Sequence, residues 1–231
     1  NECTEYACAD GLCEYTAVAD GTACGSATGI CQAGSCVGTF PCTEQGLRDA
    51  IAVGGGPHTF DCGGPTTVVT QATIEIDNDV ILDGEGNLTI DGNDDHCVFS
   101  VESYTRVGLH GFIVKGGAAG SLGAGIRSYG RLTLTNSTVS GNRTEYGDGG
   151  GIWTWTGTLT LINSAVSGNT AGGSGDGGGL ATGNPGGVLT LINSTISGNR
   201  AQTGGGIWNG WGTLTLINTT VSGNQALIYG G

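Results

Sequence analysis

The sequence has no methionine and a single lysine, Lys115, and its seven Lys and Arg face twenty Asp and Glu, a formal net charge of −13. So few bases exclude a surface that tracks nucleic acid, which needs clustered Lys and Arg, and they disfavour an anionic membrane. No run of about 20 apolar residues occurs, so no segment reads as a membrane-spanning helix. There is no CxxC pair, so the cysteines do not read as a zinc site. Glycine is abundant, at 48 residues, but without a three-residue period, which excludes collagen. With 37% hydrophobic residues the chain has material for a core.

Six of the nine cysteines, Cys3, Cys8, Cys13, Cys24, Cys31 and Cys36, fall in the first 36 residues. That density reads as a disulfide framework formed in an oxidising compartment, with fifteen possible pairings. Secretion is therefore expected, with a leader removed ahead of Asn1. Cys42 and Cys62 flank the next zone and are expected to bridge. The ninth cysteine, Cys97, is left over: a buried thiol or an intermolecular bridge.

Three zones follow from the changes in pattern. Residues 1–38 are the disulfide-rich module. Residues 39–66 form an N-terminal cap, in which "CTEQGLRDAIAVGGG" places Thr43 as an N-cap, Leu47, Ala50 and Ile51 at helical spacing, and Gly54 as the stop. Residues 67–231 show short alternating runs between Gly, Asn and Asp. Within them, near-copies begin at Gly130, Gly157, Gly187 and Gly212, after a degenerate one at Thr105.

Each copy holds three strand-like pieces, such as "GGGIW", "LTLIN" and "TISGN". Repeats of this length built from strands imply a solenoid, here an all-β parallel β-helix of about six coils. Alternation sends Leu159, Leu161, Leu189, Leu191, Leu214 and Leu216 inward. Asn136, Asn163, Asn193 and Asn218 align at intervals of 27, 30 and 25 residues and are expected to form a ladder. Asn-x-Ser/Thr triplets begin at Asn87, Asn136, Asn142, Asn193 and Asn218, several of them ladder positions.

"CTEQGLRDAIA" followed by "VILDGEGNLTIDGNDDHCVFSV" resembles the N-terminal cap and first coils of secreted bacterial right-handed β-helix proteins. The "GGGIW…LTLINSTISGN" units are similar to repeats of the polymorphic outer-membrane-protein type. The resemblance spans about residues 39–231 and implies a right-handed β-helix at or outside the cell surface. For function it implies several classes, because such repeats occur in adhesins, surface layers and exoproteins.

A β-helix hydrolase needs paired carboxylates and a lyase needs Ca²⁺ with a basic residue. From Gly130 onward the only acids are Glu145, Asp148 and Asp176, and "GDGGG" around the two Asp reads as duplicated scaffold. The richest acidic stretch is "DGNDDH", where Asp91, Asn93, Asp94 and Asp95 are either a weak Ca²⁺ site or a polar turn. Trp153 and Trp208 follow inward isoleucines, so they are placed outward, to stack on sugars or a subunit, with inward packing at a corner as the alternative. The last copy breaks off after "QALIYGG", which leaves Ile228 and Tyr229 at an unprotected rung. A cut chain, a further segment, or docking by another copy each account for it. The expectation is an extracellular, non-catalytic protein that assembles end to end as a homopolymer, with a glycan-binding adhesin or carbohydrate-active enzyme as the alternative. No cofactor is expected beyond that Ca²⁺.

Overall fold

In "RLTLT", "TLTLI", "VLTLI" and "TLTLI" every second residue is Leu, and a strand sends alternate side chains to opposite faces. The computed structural model describes residues 3–9, 12–24, 29–155, 157–183 and 186–230. In it these four segments are parallel neighbours in register, matching Leu132, Leu159, Leu189 and Leu214 in one row and Leu134, Leu161, Leu191 and Leu216 in the next. The ladder continues through Arg106–Lys115 and Val80–Asp91 to Gly55–Asp61 and Ser35–Pro41, all parallel.

A second sheet stacks six strands, from Ile74–Ile76 and Phe99–Val101 through Ile126–Ser128, Ile152–Thr154 and Leu180–Thr182 to Ile207–Asn209. Each of the four repeats also adds a short further strand after "SGN", such as Arg143–Thr144 or Thr170–Ala171, and these with Ala118–Ala119 make a five-stranded third sheet. The molecule is a mostly-β parallel solenoid of about seven turns, one more than the repeats alone suggest. The extra turn comes from the irregular coils ahead of Gly130, which lack the repeat motif but keep its alternation.

The core runs the length of the stack. Leu132, Leu159 and Leu189 are at most 1% exposed, as are Leu134, Leu161 and Leu191. Each such burial contributes about 1.5–3 kcal/mol. Lower down, Phe60, Phe99 and Phe112 meet edge to face, with centroids 6.2 and 6.5 Å apart.

The helix Glu44–Val53 closes one end. Thr43 Oγ1 accepts the Gly46 N–H at 3.1 Å, a first-turn cap. Leu47, Ala50 and Ile51 are buried on the core. Gly46 must be glycine, because a Cβ there would collide with the Pro41 carbonyl. Cys42 and Cys62 are bonded beside the helix. In the first zone Cys3 is bonded to Cys31 and Cys24 to Cys36. Cys8 and Cys13 stand opposite each other in the hairpin Thr4–Ala9/Leu12–Ala17, but their side chains lie outside the described ones. The strand Ser35–Pro41 crosses residues 38 and 39 and pairs on both sides, so the first two zones share a sheet. No helix among the described residues is long and apolar enough to cross a membrane.

At the other end, the rung made by Ile207–Asn209, Thr213–Ile217, Thr220–Ser222 and Gln225–Tyr229 has, among the described residues, a neighbour on one side only. Its Leu216 and Val221 are 45% and 42% exposed, whereas their counterparts one rung below, Leu191 and Ile196, are fully buried.

Candidate functional site

The solenoid spends its inward positions on the core, so chemistry has to sit at corners and on outward rows. Two asparagine rows mark two corners. Asn136, Asn163, Asn193 and Asn218 all take φ near +50°, the left-handed conformation that Asn tolerates better than other side chains. Their amides lie at the surface, where Asn218 donates to Asn193 at 3.2 Å and Asn193 to Asn163 at 3.3 Å.

The more consequential row is the Asn of "SGN": Asn142, Asn169, Asn199 and Asn224. Each Nδ2 of the first three donates to the next Oδ1 at 2.9–3.0 Å, and each Oδ1 from Asn169 on also accepts the backbone N–H of the Asn below. The same amides donate to Val114, Val139, Val166 and Ile196 carbonyls. Asn142, Asn169 and Asn199 are at most 1% exposed. Sequence reasoning passed over this row, although its fixed place after "SG" in every copy was a signal. A third row uses hydroxyls: Ser137, Ser164 and Ser194 accept the backbone N–H of the residue one rung below.

The aromatic residues gather at the corner that follows the second sheet. Strand alternation does turn Trp153 away from the core, yet it is only 2% exposed. Tyr129 meets it edge to face at 5.5 Å, and Trp155 covers it at 5.4 Å. Trp153 as an outward-facing contact is therefore corrected, because its neighbours shield it. Gly183 makes the room, since a Cβ there would come within 3.1 Å of both indoles. Trp208 is half-buried, while Trp211, Ile228 and Tyr229 are 74%, 54% and 73% exposed.

Asp91, Asn93, Asp94 and Asp95 do not converge into a cation cage. Asp91 Oδ1 accepts the Asn93 N–H at 2.9 Å, and its Oδ2 meets Lys115 Nζ at 3.2 Å. Asn93 and Asp94 take positive φ. Asp94 and Asp95 face an open cleft shared with Arg143 and Glu145. Ca²⁺ takes six to eight oxygens, and among the described residues no three acidic or His side chains bring ligand atoms within 4.8 Å of one another. In this arrangement the stretch forms a polar turn, with Asn93 and Asp94 at its left-handed positions.

Asp148 and Asp176 sit on adjacent rungs, where Asp148 Oδ1 accepts the Asp176 N–H at 2.9 Å. Burial raises the Asp148 pKa above the ordinary carboxylate value, and the Asp176 charge adds to that. Cys97 donates to the Phe99 carbonyl at 3.1 Å, and burial pushes its thiol up to about 11. Comparison with family models, curated proteins and solved structures found no match.

Proposed function

We propose that this chain is an extracellular structural protein, a rigid solenoid that joins further copies end-on into a filament or surface layer. One observation carries the reading. Near-identical units stack in register, with Leu on Leu in two rows and Val or Ile on its counterpart in a third, so a rung of this repeat is complementary to another copy of itself. Unpaired strand edges with apolar side chains recruit another β-structure, and the partner of best fit is one built from the same units. At the far end the helix covers the core. The joint with the next copy therefore falls on the disulfide-rich strands, where the long sheet stops at Ala23–Cys24 and Ile30 is 47% exposed. A head-to-tail contact of this kind does not close, so it propagates.

Placement outside the cell is supported by the disulfides. Sedimentation and electron microscopy over a wide concentration range test the assembly. Linear particles that lengthen with concentration are expected, and Leu216→Lys with Val221→Lys should leave folded monomers. Monodisperse wild-type monomers at every concentration refute the proposal.

A further inference from the structure

We infer that the outward groove around Arg106 and Arg131 binds an acidic saccharide. Bases are scarce in this chain, and Arg48 and Lys115 are already paired with Glu44 and Asp91. Among the described residues, Arg106 and Arg131 form no ion pair and their guanidinium groups make no hydrogen bond. They lie directly opposite each other on consecutive rungs, about 4.8 Å apart along the stack. Like charges so placed destabilise a strand pair. Asp79, one rung below, is held by the Arg106 backbone N–H at 2.8 Å and pairs with neither guanidinium. An anion seated between the two arginines removes the repulsion and accepts bidentate, charge-assisted bonds.

The surroundings indicate what carries that anion. The two arginines line two adjoining depressions, one walled by Tyr104 and Tyr129, the other by His110. Gly108, in register between Ile81 and Thr133, adds no side chain of its own, and Ile81 and His110 close over it to floor the second depression. Tyr104 is fully exposed and has φ +69°, a costly backbone for a non-glycine residue that buys no packing. Aromatic rings beside a charged fork suit a pyranose, whose apolar face stacks while its carboxylate or sulfate meets the arginines. An extended peptide fits poorly, because the strands beneath are hydrogen-bonded on both sides and offer no edge. Nucleic acid fits poorly against a net charge of −13.

Titration calorimetry on the full chain tests this with polygalacturonate, dextran sulfate, neutral dextran and polyglutamate. Binding of at least one of the first two and none of dextran is expected, and whichever binds identifies uronate or sulfate as the group read. Arg106→Gln with Arg131→Gln should weaken binding about tenfold or more, and Tyr104→Ala severalfold. Arg143→Gln with Arg200→Gln, on the third sheet, should leave it unchanged. All these side chains are exposed, so the variants should fold, and a thermal melt checks that they do. Failure of both anionic polysaccharides, or binding indifferent to the Arg106/Arg131 pair, overturns the inference. So does polyglutamate binding that Tyr104→Ala leaves intact. The site is independent of end-on assembly: a monomer that binds refutes the filament alone, and a filament that does not bind refutes the groove alone.

Discussion

Replacing Asn169 with Ala should damage this solenoid far more than changing its surface counterpart Asn163. Asn169 Oδ1 accepts the Asn142 backbone N–H at 3.0 Å and the Asn142 Nδ2 at 2.9 Å, while its own Nδ2 donates to Val139 and Asn199 at 3.0 Å. Alanine deletes all four bonds. Some groups keep a second partner: Asn142 Nδ2 still reaches Val114, and Asn199 Oδ1 still accepts the N–H of residue 169. The Asn142 N–H has no substitute, and water cannot reach it. An unmet buried polar group costs about 1–3 kcal/mol, and the weakened remainder brings the expected loss to about 3 kcal/mol.

Asn163 is exposed, has φ +50°, and accepts one amide bond at 3.3 Å. Glycine is at home there, so Asn163→Gly should change stability by no more than about 0.5 kcal/mol. Urea unfolding gives the difference, and hydrogen exchange at the Asn142 amide localises it, because a solenoid can open rung by rung. Equal destabilisation by the two variants, or unchanged protection of the Asn142 amide, would falsify the assignment of the buried row as the stack's polar spine.

Three further outcomes follow from the titratable groups. Cys97, with its thiol pushed up to about 11 and its side chain buried, should ignore a thiol reagent in the folded protein and react once unfolded. Reaction in the folded state refutes its burial. His58 is fully buried, bonded through Nε2 to the Gly54 carbonyl at 2.8 Å, and desolvation lowers its pKa. The unfolded chain then binds the proton more readily, so stability should fall as pH drops below the ordinary histidine value, near 6.5, toward the folded value. His58→Gln should flatten that slope, and an unaltered slope counts against it. Asp148 is shifted upward, so its carboxylate opposes folding at neutral pH and the opposition fades as pH falls through the folded pKa. Asp148→Asn keeps the acceptor for Asp176 and should raise the neutral-pH unfolding midpoint; a lower midpoint refutes the account.

The regular part of this fold was legible because one rule governs it. Leu and Thr alternate in four copies at fixed register, so inward positions such as Leu161 and Leu191 follow from the period of the strand. The helix was legible from its ends, with Thr43 before it and Gly54 after it. The sites were harder to see. Trp153 obeys the alternation rule and still ends up covered, because Trp155, two residues on, and Tyr129, at the same corner one rung below, close over it and Gly183, a rung away, makes the space. The Asp91–Asp95 turn looked like a cation site by composition, but the number of carboxylates says nothing about where their oxygens point. Of the two asparagine rows, the surface one stood out because it ends a conspicuous strand. The buried one requires knowing which corner faces the interior.

Repetition also indicates where function belongs. A residue that recurs in every copy is accounted for by stacking: Leu for the core, Asn for the ladders, Ser for the rung-to-rung bonds. Outward rows carry no such demand, and in the later copies they settle into threonine, as at Thr133, Thr160, Thr190 and Thr215. The departures lie in the earlier coils. Gly108 stands in the threonine row, His110 in a row that ends in Ile162, Ile192 and Ile217, and Arg106 with Arg131 in one that ends in Thr158, Val188 and Thr213. These substitutions contribute nothing to the stack, and the arginine pair works against it. A side chain that costs stability at an outward, repeat-breaking position calls for a ligand, and here two such side chains, Arg106 and Arg131, border one groove with His110 and Gly108 beside them.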